Sequence, residues 1–270
     1  MGCDSFKNKV VVVTGAANGI GAAICHRFAR EGARIGLLDM DAKGVQAASD
    51  KLRASGVDAV GIRCDVVDED ECTSALKEII GLYGGIDILV NNAGITQRSA
   101  FIDTQTSVYR RVMDVNFFGS LHCTKAAMAS LIERKGIIIV IESLAGIAPL
   151  LGRTGYCASK HALHGFFTSL RSELRATGTH IMLVCPGFVE TSLQSRALGG
   201  DGRVTTHPQS MVGKPVSAER VAGQIYKGAV KRKHLLVLTP VGKLTYWIHH
   251  FAPKLYERIM TRQLKEELMR

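Results

Sequence analysis

The sequence predicts an α/β fold: a doubly wound, seven-stranded parallel sheet flanked by helices on both faces. Three observations lead there. Short β-branched runs alternate with amphipathic stretches, the runs are apolar throughout, and a glycine-rich turn follows the first of them. Continuously apolar strands are buried on both faces, as in a parallel sheet covered by helices. Right-handed crossovers then place ligands beyond the carboxyl ends of the strands.

In chain order, strands are expected at 9–13, 34–38, 59–63, 86–90, 136–141, 180–184 and 234–238. Helices are expected between them at 19–31, 42–54, 69–83, 105–133, 155–177 and 217–229. The periodicity switches from runs of four to six apolar residues to apolar positions three and four apart, which marks each boundary. The 270 residues suit one large domain. Within it, 6–191 reads as a cofactor-binding and catalytic core, 192–216 as a substrate lid, and 217–270 as a helix–strand–helix extension.

Composition narrows the function. A hydrophobic fraction of 46% with 21% charged residues is ordinary for a globular protein. The seven cysteines are scattered without a Cys-x-x-Cys pair, which argues against a disulfide framework or a zinc site and for a cytoplasmic setting. No metal site is expected. The first residues lack the apolar core of a secretory leader, and no stretch has the ~18 apolar residues of a membrane span. The net charge of +10 is dispersed and accompanies no nucleic-acid-binding motif, so no nucleic-acid partner is expected.

The turn after the first strand is Thr14-Gly15-Ala16-Ala17-Asn18-Gly19-Ile20-Gly21. Gly15 permits a tight turn, and Gly19 and Gly21 let the backbone approach a diphosphate at the next helix N-terminus. Asp39, ending the second strand, stands where a carboxylate accepts hydrogen bonds from an adenosine ribose. A 2′-phosphate would meet a like charge there, and neither Met40 nor Asn18 supplies a cation. NAD is therefore favoured over NADP in this Rossmann-type site. Downstream, Tyr156 and Lys160 stand four residues apart in a helical segment, on one face. A free phenol has a pKa near ~10, and a lysine cation beside it favours the phenolate.

Thr14–Gly21, Asn91-Asn92-Ala93-Gly94, Ser143 and Tyr156–Lys160, in this order, resemble the short-chain dehydrogenase/reductase family, in the subgroup with TGxxxGxG and YxxxK motifs. The resemblance runs from about Lys7 to Thr191. It implies that Tyr156 is the acid/base, that Ser143 hydrogen-bonds the substrate oxygen, and that Lys160 depresses the Tyr156 pKa and holds the nicotinamide ribose. By the same resemblance, Asn116 anchors a water that links the lysine to solvent. Asp65 and Val66 correspond to the adenine contact, and Asn92, Ala93 and Gly94 to the segment lining the cofactor site. Pro186, Gly187, Val189 and Thr191 correspond to the segment at the nicotinamide end. Glu142 departs from the family pattern, where many relatives have a small Ser or Ala. Strand alternation points it away from Ser143, toward a basic neighbour, an edge or the substrate.

The lid is glycine-rich and polar, with Leu193, Leu198, Val204 and Met211 for apolar contacts; Leu144, Ile147, Leu150 and Leu151 add more. These predict a hydrophobic pocket for a lipid-like, steroid-like or other bulky alcohol or ketone. The basic, amphipathic 245–268 segment suits packing on its own domain or a partner, peripheral membrane contact, or covering the substrate entrance. The family resemblance implies a homodimer or homotetramer built on helices 105–133 and 155–177. The expected activity is NAD(H)-dependent interconversion of a secondary alcohol and a ketone. The alternatives are an NADP(H)-dependent carbonyl or 3-oxoacyl reductase and a non-catalytic NAD-sensing protein.

Overall fold

Seven parallel strands form one sheet in the computed structural model, which describes residues 6–206 and 214–268. They are β1 (Val10–Thr14), β2 (Arg34–Asp39), β3 (Ala59–Arg63), β4 (Ile88–Asn91), β5 (Ile137–Ile141), β6 (His180–Cys185) and β7 (Leu235–Val237). The order is β3-β2-β1-β4-β5-β6-β7, so the winding reverses between β1 and β4. Val11 pairs with Ile35 on one side and Ile88 on the other. The loops after β1 and β4 therefore open a crevice at the carboxyl edge, the usual ligand position in such sheets.

Strand alternation divides the core in two. Val11 and Val13 pack with Ile24 and Phe28 of α1 (Gly19–Ala29), and with Val221 and Ile225 of α7 (Ala218–Val230). α2 (Ala42–Ala54) adds Val45 and Leu52 to this layer. On the other face, Val10 and Val12 meet Leu76 and Ile79 of α3 (Glu69–Tyr83). Leu131 of α5 (Gly119–Glu133) and Phe167 of α6 (Thr154–Glu173) complete that layer. Helix starts are set by local chemistry: Asp41, Asp68 and Ser217 accept backbone N–H groups in the first turns of α2, α3 and α7.

Two helical expectations need correction. The 105–133 helix is not uniform: α4 (Thr106–Met113) passes through a π-turn, Asp114–Phe118, into α5. Side-chain propensities do not reveal that extra residue, because the chain remains helical on both sides. The C-terminal amphipathic segment is two helices, α8 (Pro240–Phe251) and α9 (Pro253–Leu264), followed by a 3-10 turn at Lys265–Leu268. Pro253 explains the break, since it has no N–H to donate and favours a helix start. Thr239 caps α8 through its hydroxyl at 3.0 Å from the Gly242 N–H. Tyr256 of α9 donates to the Pro149 carbonyl at 3.1 Å, so this helical pair packs on the loop after β5.

Candidate active site

The glycine-rich turn is held by contacts that only glycine permits. Gly15 and Gly19 adopt φ values of +64° and +57°, the left-handed region. A Cβ on Gly21 would lie 2.1 Å from the Gly15 carbonyl oxygen. Gly21 therefore serves the turn's own packing and faces away from the crevice, whereas sequence spacing assigned it to the diphosphate. Asn92 binds the turn from the β4 loop, donating to the carbonyls of Thr14 at 2.8 Å and Gly15 at 3.0 Å. Thr14 Oγ1 accepts the N–H groups of Asn92 and Ala93, both at 3.0 Å. Asp39 accepts from Ala17 N–H at 3.0 Å and Asp41 N–H at 3.1 Å.

These elements face a cavity of about 810 Å³. Of the catalytic and cofactor-binding residues expected from sequence, Gly21 and Asn116 alone do not line it. A dinucleotide fits this cradle. Asn18 precedes α1 without a side-chain capping bond, and the helix's first turn holds no acidic residue. The N-terminal N–H groups and the helix dipole thus favour an anion supplied from outside. Gly15, Asn18 and Gly19 would hold a diphosphate, Asp39 the adenosine ribose, and Gly94 and Lys160 the other end.

At that end, α6 presents Tyr156 and Lys160 one turn apart, both buried. Lys160 Nζ donates to the Ile141 carbonyl at 2.9 Å, and lies 5.7 Å from the Tyr156 ring centre. Burial lowers its pKa to about 8 against the opposing charge of Glu142. Burial also raises the Tyr156 pKa; a hydrogen bond from Ser143 and the charge of Arg153 pull the other way. Arg153 thus adds a second cation that favours the phenolate, beside a lysine whose ammonium is also bonded to the backbone. Arg153 is buried, lines the cavity, and donates through one terminal nitrogen to Gln194 Oε1 at 3.1 Å and Thr96 Oγ1 at 3.5 Å. Sequence offered no signal for it, since a lone loop arginine belongs to no spacing pattern.

Asn116 is fully buried in the π-turn. Its Oδ1 accepts from Ile95 N–H at 2.8 Å, and its Nδ2 donates to Ile95 O at 3.0 Å and Ser159 Oγ at 2.8 Å. Its side chain joins the β4 loop to α6 and thereby fixes the distance between cradle and tyrosine. Such π-turns often occur at functional positions. Cys157 is buried and its thiol pKa is raised by that burial, as suits a packing residue. His161 bonds the Cys157 carbonyl at 2.9 Å, away from the cavity.

The substrate side is partly as expected. Leu144, Leu150, Leu193, Leu198 and Val204 line the cavity; Ile147 and Leu151 do not. Met211 lies outside the described residues. The described part of 192–216, the segment expected to be a lid, is tied down by its backbone: Leu198 N–H donates to Thr96 O at 2.8 Å, and Arg98 N–H to Leu198 O at 2.7 Å. Arg196, also missed from sequence, reaches Asn18 Oδ1 at 3.1 Å and so spans from the lid to the glycine turn.

Fold and site together define a nicotinamide-dinucleotide oxidoreductase. The family model for short chain dehydrogenase matches residues 9–199, and the chain belongs to the short-chain dehydrogenase/reductase family. It is 33% identical over 269 residues to dehydrogenase/reductase SDR family member 7B of Bos taurus, covering 97% of this chain and 83% of the relative. A Drosophila melanogaster protein, dehydrogenase/reductase SDR family protein 7-like, is 31% identical over 266 residues, with 96% and 82% covered. Among solved structures, a short-chain dehydrogenase/reductase from Burkholderia phymatum in complex with NAD matches with a TM-score of 0.82 at 23% identity, covering 93% of this chain and 95% of that one. An alcohol dehydrogenase from Thermococcus sibiricus, complexed with 5-hydroxy-NADP, gives 0.74 at 22% identity, with 85% and 95% covered.

Proposed function

We propose that this protein interconverts a secondary alcohol and a ketone with NAD(H), on a bulky and largely apolar substrate. The observation that carries the reading is the convergence of Tyr156, Ser143 and Lys160 on the cavity that the glycine turn opens. When bound, the nicotinamide supplies or accepts the hydride. The chain's own residues position the substrate and handle the proton. Burial keeps Tyr156 protonated, which suits donation to a carbonyl oxygen as that oxygen gains charge. Ser143 shares the phenol's hydrogen bond and stabilises the same oxygen. Lys160 would hold a ribose hydroxyl of the bound cofactor, and Asn116 holds the loop that keeps Lys160 and Gly94 in register.

Asp39 supports NAD over NADP, because its carboxylate is fixed by two backbone donors and its neighbour Met40 is an exposed, uncharged side chain. The apolar lining supports a bulky substrate, and Arg153 adds one buried cation beside Tyr156. The reading includes a homo-oligomer built on α4–α5 and α6, where Phe118 stands exposed beside Phe117, itself against Phe166. It also includes peripheral membrane contact through exposed Trp247, Phe251 and Leu255 with nearby Lys254 and Arg258. The free thiols fit a reducing compartment, the cytoplasm in this reading. A panel of apolar alcohols and ketones, assayed with NAD(H) and NADP(H) side by side, tests the function. Turnover with NAD(H) is expected; faster turnover with NADPH would favour the carbonyl-reductase alternative. Tight NADH binding without turnover would favour a sensor.

A further inference from the structure

Glu142 ends the buried run before Ser143, and none of its side chain reaches solvent. A carboxylate so placed needs partners. It has two donors: His164 Nδ1 lies 3.0 Å from Oε1, and Cys185 Sγ lies 3.0 Å from Oε2. Gly146 leaves room for it, since a Cβ there would stand 3.0 Å from Oε1 and 2.9 Å from the Lys160 carbonyl oxygen. Tyr156, Lys160 and His164 are spaced by four on α6 and form one stripe. Lys160 is itself tied to Ile141 O, the residue before Glu142.

The groups that feel this carboxylate come from two elements. From α6 they are Lys160, His164 and, last among its influences, Tyr156; from β6 it is Cys185. Arg171, further along α6, acts on His164 in the opposite sense. Cys185 is held as a neutral thiol by burial and by Glu142. Lys160 is thus the one buried cation in the cluster, and burial alone would push it toward the neutral amine.

We propose that Glu142 is a positioning residue for the reaction: it is the buried counter-charge that keeps Lys160 an ammonium, and His164 and Cys185 aim it. This rests on the reading that Lys160 works beside Tyr156. An ammonium donates to a ribose hydroxyl and, as a cation, stabilises negative charge developing on the phenol oxygen; a neutral amine does both poorly. The Glu142 carboxylate, fully buried, therefore acts on the chemistry through Lys160.

The test is an NMR titration of 13Cε-labelled lysine in the cofactor-free protein, with the Lys160 signal assigned by its loss in Lys160→Arg. The wild-type midpoint is expected at about 8. Glu142→Gln keeps shape and removes charge, and should lower the midpoint by about one pH unit or more. Glu142→Asp keeps the charge and should restore it, and the alkaline limit of NADH binding should move with the midpoint in each variant. Glu142→Ser, which removes the same charge with a smaller side chain, serves if Glu142→Gln does not fold. A midpoint unchanged in a folded, charge-free variant would overturn the proposal, as would a wild-type midpoint at the ordinary value for an exposed lysine. Because the titration needs no turnover, its failure is separable from failure of the oxidoreductase reading, which Tyr156→Phe kinetics decide.

Discussion

Ala17 donates its backbone N–H to Asp39 Oδ2 at 3.0 Å, which ties the end of β2 across to the glycine-rich turn. In the proposed NAD reading, the contact fixes the carboxylate where it would accept from ribose hydroxyls and repel an added phosphate. Replacing Asp39 by Ser and Met40 by Arg should reverse that preference. The ratio of NADPH to NADH affinity, read by fluorescence titration, is expected to rise at least about tenfold, or about 1.4 kcal/mol.

Gly21→Ala should damage the cradle from behind. Its Cβ would enter the space of the Gly15 carbonyl and of Asn92 Nδ2, at 2.1 and 2.7 Å. Neither the backbone nor the bonded amide can withdraw cheaply. We expect a loss of stability of about 2–4 kcal/mol in denaturant titrations, with NADH binding weakened about a hundredfold or more.

Asp87 holds the opposite edge of the sheet, far from the cavity. It is buried and accepts from Val10 N–H and Lys9 Nζ, both at 2.9 Å, and from Arg134 at 3.2 Å. Asp87→Ala leaves these donors unpaired and should cost about 3 kcal/mol. Turnover per folded molecule should hardly change, which separates this role from those of the cavity residues.

His164 gives a pH-dependent stability with a definite sign. Its bond to Glu142 raises its pKa above the unfolded value of 6.5. The contribution is therefore complete below pH 6.5 and fades as pH rises through the folded pKa. His164→Gln should cost about 1 kcal/mol at pH 5.5, since the ring is partly solvent-screened, and clearly less at pH 9. Thermal melts at both values check this.

The sheet was legible because each strand is apolar on both faces, and the crevice because its two loops carry Gly15, Gly19 and Asn92 in fixed order. The π-turn at Asn116 was not legible, since one extra residue within a helix leaves propensity unaltered. The break at Pro253 was present in the sequence but hidden by the apolar periodicity that continues past it. Glu142 could be noticed as unusual, yet its partners come from a helix 22 residues on and a strand 43 residues on. Contacts of that separation are decided by packing. Arg153 was invisible for the same reason, and it adds a buried cation whose charge acts on Tyr156.

The most direct measurement of the central claim is single-turnover hydride transfer in Tyr156→Phe, followed by NADH absorbance with a substrate found by the panel. The variant should bind NADH as the wild type does and transfer hydride about 10²–10⁴-fold more slowly. Hydride transfer at a near-normal rate, with NADH binding intact, would contradict the assignment of Tyr156 as the proton donor.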